Sequence, residues 1–150
     1  MTAVITTGEL LTMESVLLGH LEIRLETIIT FAVGLPGFET LRRFALVETQ
    51  REELVWLQSV DDPSLTFLLA DPFVLVPGFE VELPPSDVAA FGASADRDAL
   101  LVLVVVQLEG GMPVAANLQS PIVIDHAQHQ GRQVVLPDSR YGMQHAISIA

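Results

Sequence analysis

Apolar positions in this chain come in short runs, cut by Pro, Gly and Asp, which is the spacing of strands rather than of long helices. Leu10 to Leu18 reads as a first strand and Gly19-His20 as a turn. Beyond it Leu21, Ile23 and Leu25 alternate with Glu22, Arg24 and Glu26, the period-two pattern of a half-buried strand. Ile28 to Phe31 is β-branched and aromatic and continues the sheet character. In Leu35-Pro36-Gly37-Phe38, Pro36 presets the first central position of a turn and Gly37 supplies the positive φ that a type II turn requires. Glu39 to Arg43 reads as one helical turn, Phe44 to Glu48 as a strand, and the polar Thr49 to Glu53 as a solvated loop.

Leu54 to Val60 and Leu65 to Ala70 flank Asp61-Asp62-Pro63-Ser64, a hairpin with Asp and Pro in the first two positions of a type I turn. Asp71-Pro72 is a second turn signal, with Phe73 to Val76 a short strand after it. One short helix is expected from Ser86, a good N-cap, to Gly92 near its C-terminal end. Ala99 to Val106 is continuously apolar and rich in Val, as in a strand buried on both faces at the centre of the core. Gly110-Gly111 ends it. Val114 to Ile124 follows as a long strand with Pro121 at a bulge or unpaired edge, and Gly131 to Leu136 as a further short one. About eight to ten short strands with one or two helical turns predict an all-β, mainly antiparallel fold, a small closed or nearly closed β-barrel. Closure also removes the exposed edges that an apolar β-protein must avoid.

The 150 residues suffice for one domain with a single sizeable core, and half of them are hydrophobic, which excludes a disordered chain. Asp and Glu number 19 against 7 basic residues, all Arg, for a net charge of -12. That charge opposes direct binding of nucleic acid or of an anionic membrane, and favours a basic or amphipathic protein partner. The chain has no Cys, so thiolate metal sites, thiol catalysis and disulfides are excluded, and a cytoplasmic setting is expected. Met1 to Leu10 lacks a basic segment and a long apolar stretch, so no secretory signal is expected there. The run Ala99 to Val106 is far short of the about 20 residues of a membrane-spanning helix.

Candidate chemistry is sparse. No dinucleotide fingerprint, P-loop, H-E-x-x-H or G-x-S-x-G occurs. Asp125-His126 with His129 is the best metal-ligand spacing, but it falls in a polar loop and lacks a third strong ligand nearby. Asp61 and Asp62 are adjacent carboxylates that serve a turn more simply than acid–base catalysis, and Glu52-Glu53 reads as a solvated loop. Trp56 and Phe67 read as cross-strand core partners, while His20 and His145 have no visible partner.

Several segments taken together resemble the FliW family of flagellar assembly factors. They are G-L-P-G-F-E (Gly34 to Glu39), W-L-Q-S-V-D-D-P (Trp56 to Pro63), A-D-P-F (Ala70 to Phe73), V-E-L-P (Val81 to Pro84), N-L-Q-S-P-I-V-I (Asn117 to Ile124) and G-R-Q-V-V-L (Gly131 to Leu136). Each is weak alone; their order and spacing across Leu11 to Ile147 carry the likeness. The chain departs from the family pattern at Leu18, where an aromatic is usual, at Ser120 to Asp125, and at Tyr141 to His145. Residues 1–10 are expected to be a flexible extension, and 11–150 a single barrel domain. The resemblance implies a protein without enzymatic activity or cofactor, monomeric when free. It also implies two protein partners: the RNA-binding translational repressor CsrA, whose repression of flagellin mRNA it relieves, and flagellin, which sequesters it in turn.

For partner contact the residues offer two surfaces. Gln58, Asp61, Asp62, Asp71 and Phe73 set acids beside an aromatic anchor. Asn117, Leu118, Gln119, Ser120 and Pro121 form an edge that could pair with or cap a partner element. The alternatives are a metal-assisted enzyme at Asp125, His126 and His129, and a ligand-binding barrel whose pocket is lined by Phe73, Trp56 and Phe67.

Overall fold

The computed structural model describes residues 9–92, 99–137 and 140–148. Its strands are β1 (Leu10–Ser15), β2 (Gly19–Arg24), β3 (Ile29–Phe31), β4 (Arg43–Glu48), β5 (Leu54–Ser59), β6 (Thr66–Ala70), β7 (Leu100–Glu109), β8 (Met112–Ala116), β9 (Ile122–Asp125), β10 (Gln130–Gln133) and β11 (His145–Ala146). Two short helices, α1 (Pro72–Leu75) and α2 (Pro85–Ala89), lie between β6 and β7. Strands β7, β6, β5, β4, β3, β10 and β9 pair in that order, and β9 pairs back onto β7, closing a seven-stranded barrel. The barrel is mixed, because β3 and β10 run parallel. Strand β7 is long enough to serve two partners along one edge. Leu100 to Leu103 pair with β9, and Val106 to Glu109 pair with β8 after the two diverge.

Alternation sets the layers. Ile29, Phe31, Phe44, Leu57, Leu69, Ile122 and Ile124 fill the barrel interior, with Leu103 and Val105 packed against them. Their neighbours in sequence point outward and are covered as well. Leu68, Ala70, Val104, Val106 and Ala116 lie under Phe79, Leu75 and the C-terminal Tyr141 and Ile147. Val123, Val134, Leu100 and Val102 lie under Phe91 and Leu83. This explains the unbroken apolar run of β7: inner and outer faces both meet a hydrophobic layer. Full burial is confined to its middle, at Val104 and Val106, and Leu101 is exposed.

A third cover is polar at its centre. In the β1–β2 hairpin Leu11, Met13, Leu21 and Ile23 face inward, while Thr12, Glu14, His20, Glu22 and Arg24 face solvent. Ser15 Oγ, at the end of β1, donates to Gln58 Oε1 at 2.6 Å, and Thr66 Oγ1 donates to the same atom at 2.7 Å. The Gln58 amide donates to the carbonyls of Ser59 at 3.0 Å and Leu65 at 3.2 Å. Val16 N donates to Pro63 O at 2.9 Å. The hairpin is therefore pinned to the β5–β6 turn through a saturated, fully buried amide.

Several local expectations hold and several change. The Pro36-Gly37 turn forms as expected, with Phe38 N donating to Leu35 O and Gly37 at φ 85°. Gly34 is required there for a different reason: a Cβ would sit 2.5 Å from the Glu39 backbone. The first strand ends at Ser15 rather than Leu18, because Ser15 Oγ captures Leu18 N and makes Val16 to Leu18 the turn. Glu39 to Arg43 is not helical; a single Leu41 N to Phe38 O bond closes a turn. Phe73 to Leu75 is helix rather than strand, with Val76 its C-cap, since the Asp71 carboxylate caps Phe73 N and Pro72 occupies the first turn. The second helix is entered through Pro84 and Pro85, with Ser86 inside it and no side-chain cap. The long strand expected over Val114 to Ile124 is two, β8 and β9, joined by a crossing at 117–121. Trp56 opposes Leu68, and Phe67 opposes Leu57, so the two aromatics sit on opposite faces of the sheet rather than together. Leu10 is already in the hairpin ladder; residues 1–8 of the expected extension lie outside the described residues.

Candidate functional site

One end of the barrel collects the turns after β3, β5 and β8, the end of β10 and the tip of the β1–β2 hairpin. The opposite end carries Thr49 to Glu53, Asp71 and the Asp125 to His129 turn. At the first end a groove of about 780 Å³ opens toward the barrel interior. Its floor is Phe67, Val105 and Ile122; Leu35, Pro36, Phe38, Val135 and Met143 form apolar walls, and Gln107, Asn117, Ser120, Gln133 and Gln144 give polar rim groups. Phe38 stands edge-on to Phe67, with ring centroids 5.5 Å apart.

The groove wall is built by the 117–121 crossing. Asn117 N donates to Val105 O, keeping the chain on β7 at the point where β8 and β9 part. Asn117 Oδ1 then accepts from Gln119 N at 3.2 Å and Ser120 N at 3.1 Å, folding the chain toward β9. Gln133 Nε2 donates to Ser120 O at 3.1 Å, and Leu136 N and Val134 N donate to Gln119 O and Pro121 O. Leu118 and Pro121 are buried by this arrangement, so their contribution is to shape; Asn117 and Ser120 reach the groove. Among the described residues no charged side chain lines it, although the protein carries a net charge of -12. Such a surface suits an apolar, uncharged segment.

The other expected partner residues are divided by the fold. Gln58 is fully buried under the hairpin, its amide committed to internal bonds, so it positions a surface rather than forming one. Asp61 and Asp62 lie at the groove end of the β5–β6 hairpin. Asp61 accepts from Arg43 at 2.5 Å. Asp62 takes the Ser64 hydroxyl and amide at 2.7 and 2.9 Å, which holds its carboxyl below the ordinary value. Asp71 and the half-exposed Phe73 lie at the far end of β6, where Asp71 caps α1 and the Phe73 ring packs edge-on to Phe79 at 5.3 Å. Five strand residues separate the two acidic spots, roughly 17 Å. The expected grouping of these acids with Phe73 is therefore corrected to two separate places.

Neither alternative chemistry is assembled. Asp125 is buried, with Oδ1 accepting from Ala127 N and Gln128 N and Oδ2 from Gln128 Nε2 at 2.8 Å. Its oxygens hold the turn that His126 and His129 occupy, and among the described residues no three His, Cys, Asp or Glu side chains gather as a metal site. Phe67 lines the groove, Trp56 a separate cleft beside Thr49 to Arg51, and Phe73 neither, so the three share no pocket. Sequence reasoning missed Phe38, Val135 and Met143. The visible sign was an apolar residue in turn or loop context, which becomes meaningful only once several meet. No helix among the described residues is long and apolar enough to cross a membrane.

Three of the six segments that carry the likeness to flagellar assembly factors, 34–39, 117–124 and 131–136, wall this groove, and residues 12–147 match the model of the FliW protein family. The chain belongs to the FliW family. Among curated relatives, the flagellar assembly factor FliW of Treponema denticola is 33% identical over 130 residues, spanning 87% of this chain and 88% of that protein. That of Caldicellulosiruptor bescii is 34% identical over 127 residues, 85% and 84% of the two chains. A crystal structure of the flagellar assembly factor FliW superposes with a TM-score of 0.79 at 29% identity, covering 90% of this chain and 95% of that one. In this chain residues 34–39, 117–122 and 131–136, far apart in sequence, supply most of the groove wall.

Proposed function

We propose that this protein is a non-catalytic partner switch in flagellar assembly, monomeric when free and acting in the cytoplasm. It binds the translational repressor CsrA and so relieves repression of flagellin mRNA. Unsecreted flagellin occupies it in turn and sets CsrA free. The observation that carries this reading is the groove at the barrel end, built from three of the family segments and lined, among the described residues, by apolar and uncharged polar side chains. The charge supports it too. Arg24, Arg43, Arg51, Arg132 and Arg140 each pair with a carboxylate of this same chain, so few cations soften the acidic surface. A protein of this charge held beside an RNA-binding surface repels phosphate within about 8 Å at physiological salt. A coupling of about 1–3 kcal/mol suffices for regulation.

Co-purification with CsrA, followed by addition of flagellin, tests the switch. A stoichiometric CsrA complex dissolved by flagellin is expected; failure to bind either protein at low and moderate salt overturns it. Inhibition of RNA binding that persists unchanged at high salt, with the complex intact, would exclude charge repulsion as its cause.

A further inference from the structure

Among the described residues the tip of the β1–β2 hairpin carries the most exposed large aliphatic side chain: Val16 is 77% exposed, and its neighbour Leu17 59%. It is also held firmly. Ser15 Oγ is fixed to the buried Gln58 amide and accepts from Leu18 N at 3.0 Å, and Val16 N donates to Pro63 O. Anchors on both sides of two apolar side chains present them without the ordering cost of a mobile loop. The Pro63 bond places the acidic turn Asp61-Asp62 next to the tip, and Glu14 and Glu22 face solvent on the hairpin behind it. Against these four carboxylates stand Arg43, bound to Asp61, and His20, which lies between Glu14 and Glu22.

We propose that this knuckle is a second partner-docking surface, chemically unlike the groove, which seats Val16 and Leu17 in an apolar dimple rimmed by basic side chains on a partner protein. Two apolar anchors supply the contact, and the carboxylates around them select a cationic rim and speed encounter. The groove selects the opposite chemistry, since its described lining is apolar and uncharged. The inference deepens the partner-switch reading and rests on it: of the two partners, the one that binds RNA must carry a basic surface, so it is the one assigned to the knuckle.

The test uses the full chain with purified CsrA and, separately, purified flagellin. Leu17→Asp removes the anchor at an exposed position, and its thermal midpoint reports that the fold is kept. Its affinity for CsrA is expected to fall about tenfold or more, with flagellin affinity within about twofold of the parent. Glu14→Gln combined with Glu22→Gln is expected to flatten the salt dependence of CsrA binding. Full CsrA affinity in Leu17→Asp, or equal losses for both partners, overturns the knuckle while sparing the switch. A parent protein that binds neither partner overturns the switch, and the assignment of the knuckle with it.

Discussion

Replacing Gln58 by Leu keeps the volume and removes every polar contact of the pin. Two hydroxyls, from Ser15 and Thr66, lose the acceptor they reach at 2.6 and 2.7 Å, and the carbonyls of Ser59 and Leu65 lose a donor. A net hydrogen bond is worth about 1 kcal/mol, and a buried group left unpaired costs about 1–3 kcal/mol. Ser15 is buried, so its hydroxyl has little access to water, whereas the Thr66 hydroxyl is half-buried and recovers part of its solvation. Together these give about 3–5 kcal/mol, a large share of the 5–15 kcal/mol typical of a domain. At about 2–4 °C per kcal/mol for this size, the midpoint should fall by roughly 10 °C. The loss should also be local. Hydrogen exchange at Val16 and Leu18, whose amides bond to Pro63 O and Ser15 Oγ, should accelerate more than exchange in β4 or β7. Urea unfolding gives the magnitude and exchange the location. A Gln58→Leu protein within about 1 kcal/mol of the parent, with those two amides still protected, would refute the reasoning that this amide holds the hairpin to the barrel.

Four further outcomes follow from specific contacts. Gly131→Ala would put a Cβ 2.4 Å from the Phe31 ring inside the core, and should cost about 1–3 kcal/mol by urea unfolding. Asp71→Ala removes the cap on Phe73 N and should cost about 1 kcal/mol, with exchange rising in α1. Asp125→Ala strips the acceptors from Ala127 N, Gln128 N and Gln128 Nε2 and should lower the thermal midpoint, while added zinc should leave the parent's midpoint unmoved. The Glu14 carboxylate, bonded to His20 at 2.5 Å, and then Glu22 raise the His20 pKa above its ordinary value. Protonated His20 therefore favours the folded hairpin below its unfolded pKa, and that contribution fades as pH rises through the folded one. An NMR titration should show the raised midpoint, and Glu14→Gln should bring it down.

Much of the fold is legible locally. Period-two alternation located β2, the Asp61 to Ser64 turn signal between two apolar runs located β5 and β6, and Pro36-Gly37 fixed its own turn, because side-chain direction and φ preference are properties of neighbouring residues. Asp71-Pro72 showed the limit: the same residues open a strand or cap a helix, and packing of Leu75 and Val76 on the outer layer decided for helix. Alternation likewise says that Trp56 and Leu57 point opposite ways, but not which of them is inside. Pairing register settles that, and register is set between strands distant in sequence.

The sequence by itself determined an apolar, acidic, β-rich chain and its family, since composition, periodicity and the order of short motifs are linear properties. Tertiary structure alone decided that β9 closes onto β7 and that β3 and β10 run parallel. It also buried Gln58 beneath a hairpin more than 30 residues earlier in the chain and brought Leu35, Asn117 and Val135 to one groove. The physical reason is common to all of these. Closure, burial and convergence are relations between segments that meet only when the chain has folded, and no local preference encodes which segments meet.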